Sequence, residues 1–149
     1  MARERIEVLD RAGRRFGALD FETPDHVEVV LDGAGPIRIS RTHFEAGGGL
    51  GKLRLKGEGD QVFLGKAVTT IDGIDLGPVV EVVRAEGGRF EALIAALPGE
   101  GGALAVPMEA VREVSAHIIL EPAAEEVRAM QAKARRSAGV ASALRRAGA

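Results

Sequence analysis

The alternation of apolar and polar residues along this chain of 149 residues predicts many short β-strands. Residues 26–31 (HVEVVL) alternate and are rich in β-branched side chains, as expected of a strand with one buried face. Clusters of Gly, Pro and Asp separate the apolar segments and predict turns between them. Single helical turns are predicted at residues 41–44 and 107–111. The predicted strands cover residues 6–10, 16–21, 26–31, 37–39 and 52–55 in the first half, and 61–70 (one or two strands), 75–84, 90–97, 104–106 and 117–120 in the second.

The pattern of the first half recurs in the second half at an offset of 60 residues. Residues 66–82 (KAVTTIDGIDLGPVVEV) predict two strands joined by a tight turn at Asp72 and Gly73. Residues 6–22 are a weaker copy of that stretch, and the later strands follow in the same order in both halves. We therefore expect a tandem repeat of a small β unit. The matched positions include Val8 with Val68, Gly13 with Gly73, and Gly17 with Gly77.

Residues from Pro122 onward differ in composition, because the good helix formers Ala, Glu, Arg, Lys and Gln replace the β-branched residues. We predict a helix over residues 123–137 and then a fraying end that is a candidate for disorder, since Gly139 weakens a helix by about 1 kcal/mol relative to Ala. The polar segment 56–60 marks a boundary between the two β units. The expected organisation is unit 1 at residues 1–60, unit 2 at residues 61–121 and a basic helical tail at residues 122–149.

Charge is distributed unevenly along the chain. Six of the 20 basic residues but none of the 22 acidic residues lie beyond Val127, so the remainder has a balance of 14 − 22 = −8. Such a tail can bind the phosphates of RNA or DNA or an anionic membrane, or it can rest on the acidic body as a solvated helix. The candidate partner-binding residues are Arg128, Lys133, Arg135, Arg136, Arg145 and Arg146. A thin apolar stripe, adequate for packing on a partner helix or on the β units, comprises Val127, Met130, Ala134, Ala138 and Ala141.

The composition excludes several classes of function. The chain has no cysteine, which rules out disulfides, thiol catalysis and cysteine-ligated zinc. Phe is its only aromatic residue type, and this argues against a platform on which nucleic-acid bases stack. The charged N-terminus and the absence of an apolar run of about 20 residues predict a protein without a membrane span, located in the cytoplasm.

The glycine-rich segment 47–51 invites comparison with a phosphate-binding loop. A P-loop requires the spacing G-x-x-x-x-G-K followed by Ser or Thr and then a helix. Here Ala46 stands at the first glycine position, Leu53 follows Lys52, and the next predicted element is a strand. A hairpin loop is therefore the better interpretation.

The remaining chemical candidates have a structural interpretation. The histidines His26, His43 and His117 are isolated in sequence, with no second ligand at the spacing of a metal site. The carboxylates that flank the two glycine turns could form acid–base pairs, but Asp beside Gly is far more common as turn chemistry. We therefore predict no catalytic residue, cofactor site or metal site. These carboxylates are Asp10, Asp20, Asp72 and Asp75.

The second half resembles the PRC-barrel domain, the small β-barrel of the H subunit of photosynthetic reaction centres and of a ribosome-maturation factor. The motifs that carry the resemblance are residues 65–68 (GKAV), 72–73 (DG), 76–82 (LGPVVEV), 106–111 (VPMEAV) and 118–120 (IIL). The first half is a more distant match through Val8, Gly13, Gly17 and residues 27–30. The resemblance implies a mainly β fold of two tandem PRC-barrel-like β-barrels followed by a C-terminal α-helix.

The resemblance also implies a scaffold for binding, and it brings no catalytic residues. We expect a non-enzymatic adaptor that presents a barrel surface and the basic tail to a macromolecular partner, in the first place a protein. The alternative is an RNA- or ribosome-associated factor that binds phosphate through the tail. A small hydrolase or ligand-binding barrel would need a polar cluster in a pocket, and no candidate is visible. Because each unit alone buries little apolar surface, the two should pack together or the protein should form a homodimer.

Overall fold

The computed structural model describes residues 6–32, 34–45, 52–99 and 101–148. These residues form one sheet of eleven strands, followed by short C-terminal helices. The prediction of a mainly β fold with a C-terminal helical segment is confirmed. The strands are β1 (Glu7–Leu9), β2 (Arg15–Glu22), β3 (His26–Val30), β4 (Pro36–Ser40), β5 (Lys52–Arg54), β6 (Ala67–Thr69), β7 (Asp75–Arg84), β8 (Phe90–Ala96), β9 (Ala103–Pro107), β10 (Val111–Val114) and β11 (Ile118–Leu120). The helices are α1 (Ala124–Ala129), α2 (Gln131–Ala134) and α3 (Ala138–Arg146).

The first five strands and the later strands follow one pairing scheme. β1 to β4 pair antiparallel in sequence order, and β5 returns to lie parallel to β1. β6 to β9 likewise pair antiparallel in sequence order, and β11 returns to lie parallel to β6. Each four-strand run also ends in a 3-10 turn, at Arg41–His43 after β4 and at Met108–Ala110 after β9.

β10 joins the two halves into one sheet. It lies parallel to β4 of the first half and antiparallel to β11 of the second, with Val114 opposite Ile39 and Ile118. The sequence pattern missed this strand, because its four residues (VREV) directly follow a helical turn and contain no glycine that marks their start. The register of β10 therefore depends on its pairing with β4, which is distant in sequence.

The first hairpin of each half has the same register and the same loop hydrogen bonds. Val8 faces Gly17 across the first hairpin, and Val68 faces Gly77 across the second. In the loops, the Asp10 N–H donates to the Arg14 carbonyl and the Gly13 N–H donates to the Asp10 carbonyl. The corresponding donors and acceptors sixty residues later form the same two bonds, Thr70 N to Ile74 O and Gly73 N to Thr70 O.

One hydrophobic core spans both halves of the chain. Phe16 of β2 lies 6.3 Å from Phe63 and 5.4 Å from Phe90 of β8, measured between ring centroids. The Arg84 guanidinium lies 4.0 Å from the Phe90 ring centroid and forms a 2.7 Å ion pair with Asp60. The polar segment 56–60 is thus attached to the core at Gly59, which is buried, and at Asp60, through its pair with Arg84.

The structure narrows one sequence prediction and corrects another. The segment 61–70, predicted as one or two strands, contains one short strand, β6, because residues 59–62 form a 3-10 turn that brings Val62 and Phe63 into the core. The C-terminal segment is not one helix over 123–137 with a disordered end. It forms three helices. The last, α3, begins after Ser137, which caps its first turn by accepting a hydrogen bond from the Val140 N–H, and it extends to Arg146.

The glycine-rich segment at 47–51 lies outside the described residues, so the interpretation of that segment as a hairpin loop stays a prediction. In the described ranges, no helix is long and apolar enough to cross a bilayer.

Candidate interaction surface

The tail is held on the sheet by apolar contacts. Val140, Ala143 and Leu144 of α3 are almost fully buried. They form a second hydrophobic cluster with the outer face of β7, β8 and β9, which is separate from the main core. The sheet contributes Val83, Ala92, Ile94, Ala103 and Ala105 to this cluster.

The apolar stripe predicted for the tail is correct as far as Ala134, which packs against this cluster, and fails after the break at Ser137. Val127 is fully buried, as expected, but Ala138 is exposed and Ala141 is only half-buried. The break between α2 and α3 at Ser137 changes the direction of the chain, so a single helical phase does not continue through it. The buried face of α3 consequently begins at Val140.

The six basic candidates of the tail are all exposed to solvent. Arg146 contacts Glu81 of β7 at 2.6 Å, and it is the only one of the six with an ion pair in the described part of the chain. This pair is itself exposed, and exposed pairs contribute only about 0–1 kcal/mol. Apolar packing therefore fixes the position of the tail and leaves most of its positive charge facing the solvent. The other five candidates are Arg128, Lys133, Arg135, Arg136 and Arg145.

Gln131, at the start of α2, connects the tail to the edge of the sheet. Its side-chain oxygen accepts a hydrogen bond from the Ala105 N–H at 2.8 Å, and its side-chain nitrogen donates to the Ala105 carbonyl at 2.7 Å. The same nitrogen also donates to the Val127 carbonyl one turn earlier, at 2.9 Å. Sequence reasoning missed this residue, because no local pattern shows that a helical glutamine faces a strand 26 positions away.

A cleft of about 260 Å³ lies where the tail meets the end of β9. Its apolar wall includes Ala92, Met130 and Val140, and its polar residues include two carboxylates and one amine. The carboxylates belong to Glu91 and Glu109 and the amine to Lys133. This combination can accept an apolar side chain and has acceptors for a cation.

The carboxylates beside the glycine turns serve the turns. The buried Asp10 side chain accepts hydrogen bonds from the Ala12 and Arg14 N–H groups, both at 2.9 Å. Burial alone would raise the pKa of Asp10, but these donors and the Arg14 guanidinium lower it overall. Asp75 accepts from the Gly77 N–H at 2.8 Å. The turn interpretation is therefore confirmed for these two residues.

Asp72 holds the tail as well as its own turn. Its carboxylate accepts a hydrogen bond from the Thr70 hydroxyl, and this bond lowers the pKa of Asp72. The same oxygen accepts from the Ala124 N–H at the start of α1, at 3.2 Å. Asp20 is exposed on β2, at the other end of the first hairpin.

His43 and Lys66 meet where the two halves join. The Lys66 amine contacts His43 Nε2, and His43 Nδ1 lies 3.2 Å from the Ser40 carbonyl. Burial lowers the pKa of His43, as do the nearby charges of Lys66 and Lys56. Burial lowers the pKa of Lys66 to about 8. Neither of the other two histidines joins this pair, and the described residues hold no cluster of three or more side chains fit to bind a metal ion.

Comparison with known proteins identifies part of this architecture. A search of curated proteins found no match. The family match begins with the 3-10 turn before β6, includes β6 to β11 and ends in α1, which leaves the first five strands outside it. Residues 59–127 thus match the PRC-barrel domain, a β domain that is generally a non-enzymatic protein-interaction module.

Proposed function

We propose that this protein is a non-enzymatic adaptor that presents a basic surface, fixed on a PRC-barrel unit, to a macromolecular partner. The observation that carries the proposal is the separation of roles within the tail. Its apolar residues Val127, Val140 and Leu144 are buried, whereas all six of its basic candidates are exposed. A positive surface held in a defined orientation suits a protein partner with an acidic face. The cytoplasm is the proposed location.

The proposal includes a tandem organisation, with unit 1 at residues 1–60, unit 2 at residues 61–121 and the tail at residues 122–149. The shared pairing scheme and the equal registers of Val8 with Gly17 and Val68 with Gly77 support it. In unit 1, Phe44 directly follows the 3-10 turn and forms an antiparallel bridge with Leu55. In unit 2, β10 directly follows the 3-10 turn and pairs antiparallel with β11. Each unit would thus close on its first strand, as a small barrel does.

Neutralising the tail charges tests this function. In the test variant, Arg128, Lys133, Arg135 and Arg136 are all replaced by Gln, which leaves the buried face of the tail unchanged. The control replaces four exposed arginines of the body, so both variants lose the same charge. We expect a cross-linked partner from the native host to be recovered with the wild type and the control but not with the tail variant. Equal recovery with both variants would contradict the proposal. The control residues are Arg38, Arg54, Arg89 and Arg112.

The alternative function, binding of RNA through the tail, is favoured by the number of exposed basic side chains without an ion pair in the described ranges. It predicts that the affinity for a single-stranded RNA falls steeply with salt, with a log–log slope of about −0.7 for each phosphate neutralised. The tail variant should then have a shallower slope than the control. An affinity that does not depend on the tail charges would exclude this alternative.

A further inference from the structure

We propose that the tail covers a strand-addition site, and that the edge of β9 binds an extended, basic segment of a partner protein when the tail moves away. β9 is the last strand in the sheet order, so one of its edges pairs with β8 and the other is available to a further strand. Free strand edges are sites at which extended peptides add to a sheet.

Gln131 occupies this edge as a strand would. A neighbouring strand forms two hydrogen bonds with a residue at such an edge: it accepts one from the residue's N–H and donates one to its carbonyl. The Gln131 amide supplies both groups to Ala105, at 2.8 Å and 2.7 Å. Because the alternation of a strand directs every second residue to the same edge, Ala103 and Pro107 also face this side. Pro107 has no N–H, and it therefore ends the edge and limits an added strand to the part before it.

The tail is docked by a limited set of contacts, which an added strand can replace. Its helices contain six, four and nine residues, and isolated helices of this length are marginal in water. α1 and α2 have no side-chain N-cap hydrogen bond, whereas α3 has one from Ser137. Among the described residues, the contacts that oppose displacement are Val127 in the main core, the small cluster around Val140 and Leu144, the hydrogen bonds of Gln131 and Asp72, and one exposed ion pair.

The negative charge of the body favours a basic segment as the added strand. The part of the chain that precedes Arg128 has a balance of −8, and this opposes edge-to-edge pairing of two copies. Two carboxylates, Glu91 and Glu109, line the cleft beside Pro107 at the end of β9, and a third, Glu81 of β7, is paired with Arg146 of the tail. The basic tail is itself the occupant present in the structure. A partner that replaces it should carry alternating apolar and basic side chains in an extended conformation.

A point variant of Gln131 and a designed peptide test this site. The probe is a fluorescent peptide of about six residues with alternating Val and Lys, the length of a typical strand. We expect the Gln131→Ala variant to bind it about tenfold more tightly than the wild type, since loss of the cover bonds raises the population of the open edge. Gln61→Ala is the matched control, because Gln61 is the other glutamine of the chain and is exposed. It should bind like the wild type.

Two further peptides separate backbone pairing from simple charge attraction. A Val–Lys peptide that is N-methylated at alternate residues cannot donate to the strand edge and should lose its binding. A Val–Glu peptide should bind more weakly than the Val–Lys peptide. Equal affinity of the wild type and Gln131→Ala for the probe, or unimpaired binding of the N-methylated peptide, would overturn the proposal.

Hydrogen exchange shows whether Gln131→Ala opens the edge of β9, and molecular mass shows whether the variant dimerises. In Gln131→Ala the Ala105 amide should exchange faster, while the amides of Leu104 and Val106, which pair with β8, stay protected. The Gln131→Glu variant keeps an acceptor for the Ala105 N–H and loses the donor, so its affinity for the probe should lie between the other two. If Gln131→Ala instead becomes a dimer in light scattering and ignores the peptide, the occupant is a second copy and the proposed partner is wrong. These results do not depend on the exposed arginines, so they are independent of the proposed adaptor function.

Discussion

At the scale of single residues, Gly77 shows how one position fixes the path of a strand. Its φ of +89° lies in the left-handed region, and a Cβ placed there would clash with the Ala96 carbonyl oxygen. Gly17, at the corresponding position of the first half, also has a close neighbour, since a Cβ would lie 2.7 Å from the Val30 carbonyl oxygen. The glycine pair that was visible in the sequence therefore reflects close packing on a third strand.

Gly77→Ala should lower the free energy of unfolding by more than about 3 kcal/mol, because the steric clash adds to the cost of the left-handed backbone. Gly73→Ala is the matched control. Gly73 has nearly the same φ, +82°, but no atom lies within 4 Å of the point that a Cβ would occupy, so this variant should cost about 1–2 kcal/mol. Urea unfolding of both variants measures the difference. Similar losses would show that the contact with Ala96 is not decisive.

The lowered pKa of the Lys66 amine predicts that the free energy of unfolding rises at alkaline pH. Its pKa is about 8 in the folded protein and 10.5 in the unfolded chain, so the unfolded state binds more protons between these values. The free energy of unfolding should therefore increase as the pH rises from 8 to 10.5, and it should be insensitive to this group below 8. The chain has no Tyr or Cys to titrate in the same window.

Chemical denaturation at several pH values measures this slope. Lys66→Met should reduce it, whereas Lys133→Met, which removes an exposed amine of the tail, should preserve it. An unchanged slope in Lys66→Met would assign the effect to another group.

At the scale of secondary-structure elements, the sequence predicted what local chemistry determines. Alternating apolar residues and glycine turns located β2, β3 and β7 almost to the residue, because a strand with one buried face must alternate. The sequence did not predict β10, whose pairing with β4 requires the whole sheet. It also did not predict the contact between Gln131 and Ala105, because that contact exists only after the tail has docked.

The last helix was missed because its Ala-rich composition and Gly139 indicated a fraying end, although Ser137 provided a capping signal. Ser137→Ala should remove the hydrogen bond to the Val140 N–H and cost about 1 kcal/mol. Amide exchange in α3 should accelerate relative to β8. Ser142→Ala, within the same helix, is the control and should have little effect. Equal acceleration in both variants would show that the cap does not stabilise α3.

At the scale of the whole molecule, the two halves share one core and should unfold together. Phe63 is fully buried, and its ring centroid lies 6.3 Å from Phe16 of the first half and 5.5 Å from Phe90 of the second. Its side chain therefore packs against aromatic rings of both halves. Loss of the Phe63 side chain should consequently destabilise β1–β5 as much as β6–β11.

Phe63→Ala should lower the free energy of unfolding by about 3–5 kcal/mol, from lost burial and the cavity that remains. Phe21→Ala is the control, since Phe21 is 57% exposed and should cost far less. The slowest-exchanging amides of both halves should lose protection by the same amount in Phe63→Ala, because a single cooperative unit has one global opening reaction. Loss of protection in the second half alone would mean that the halves unfold independently. The shared sheet through β10 would then contribute little to their coupling.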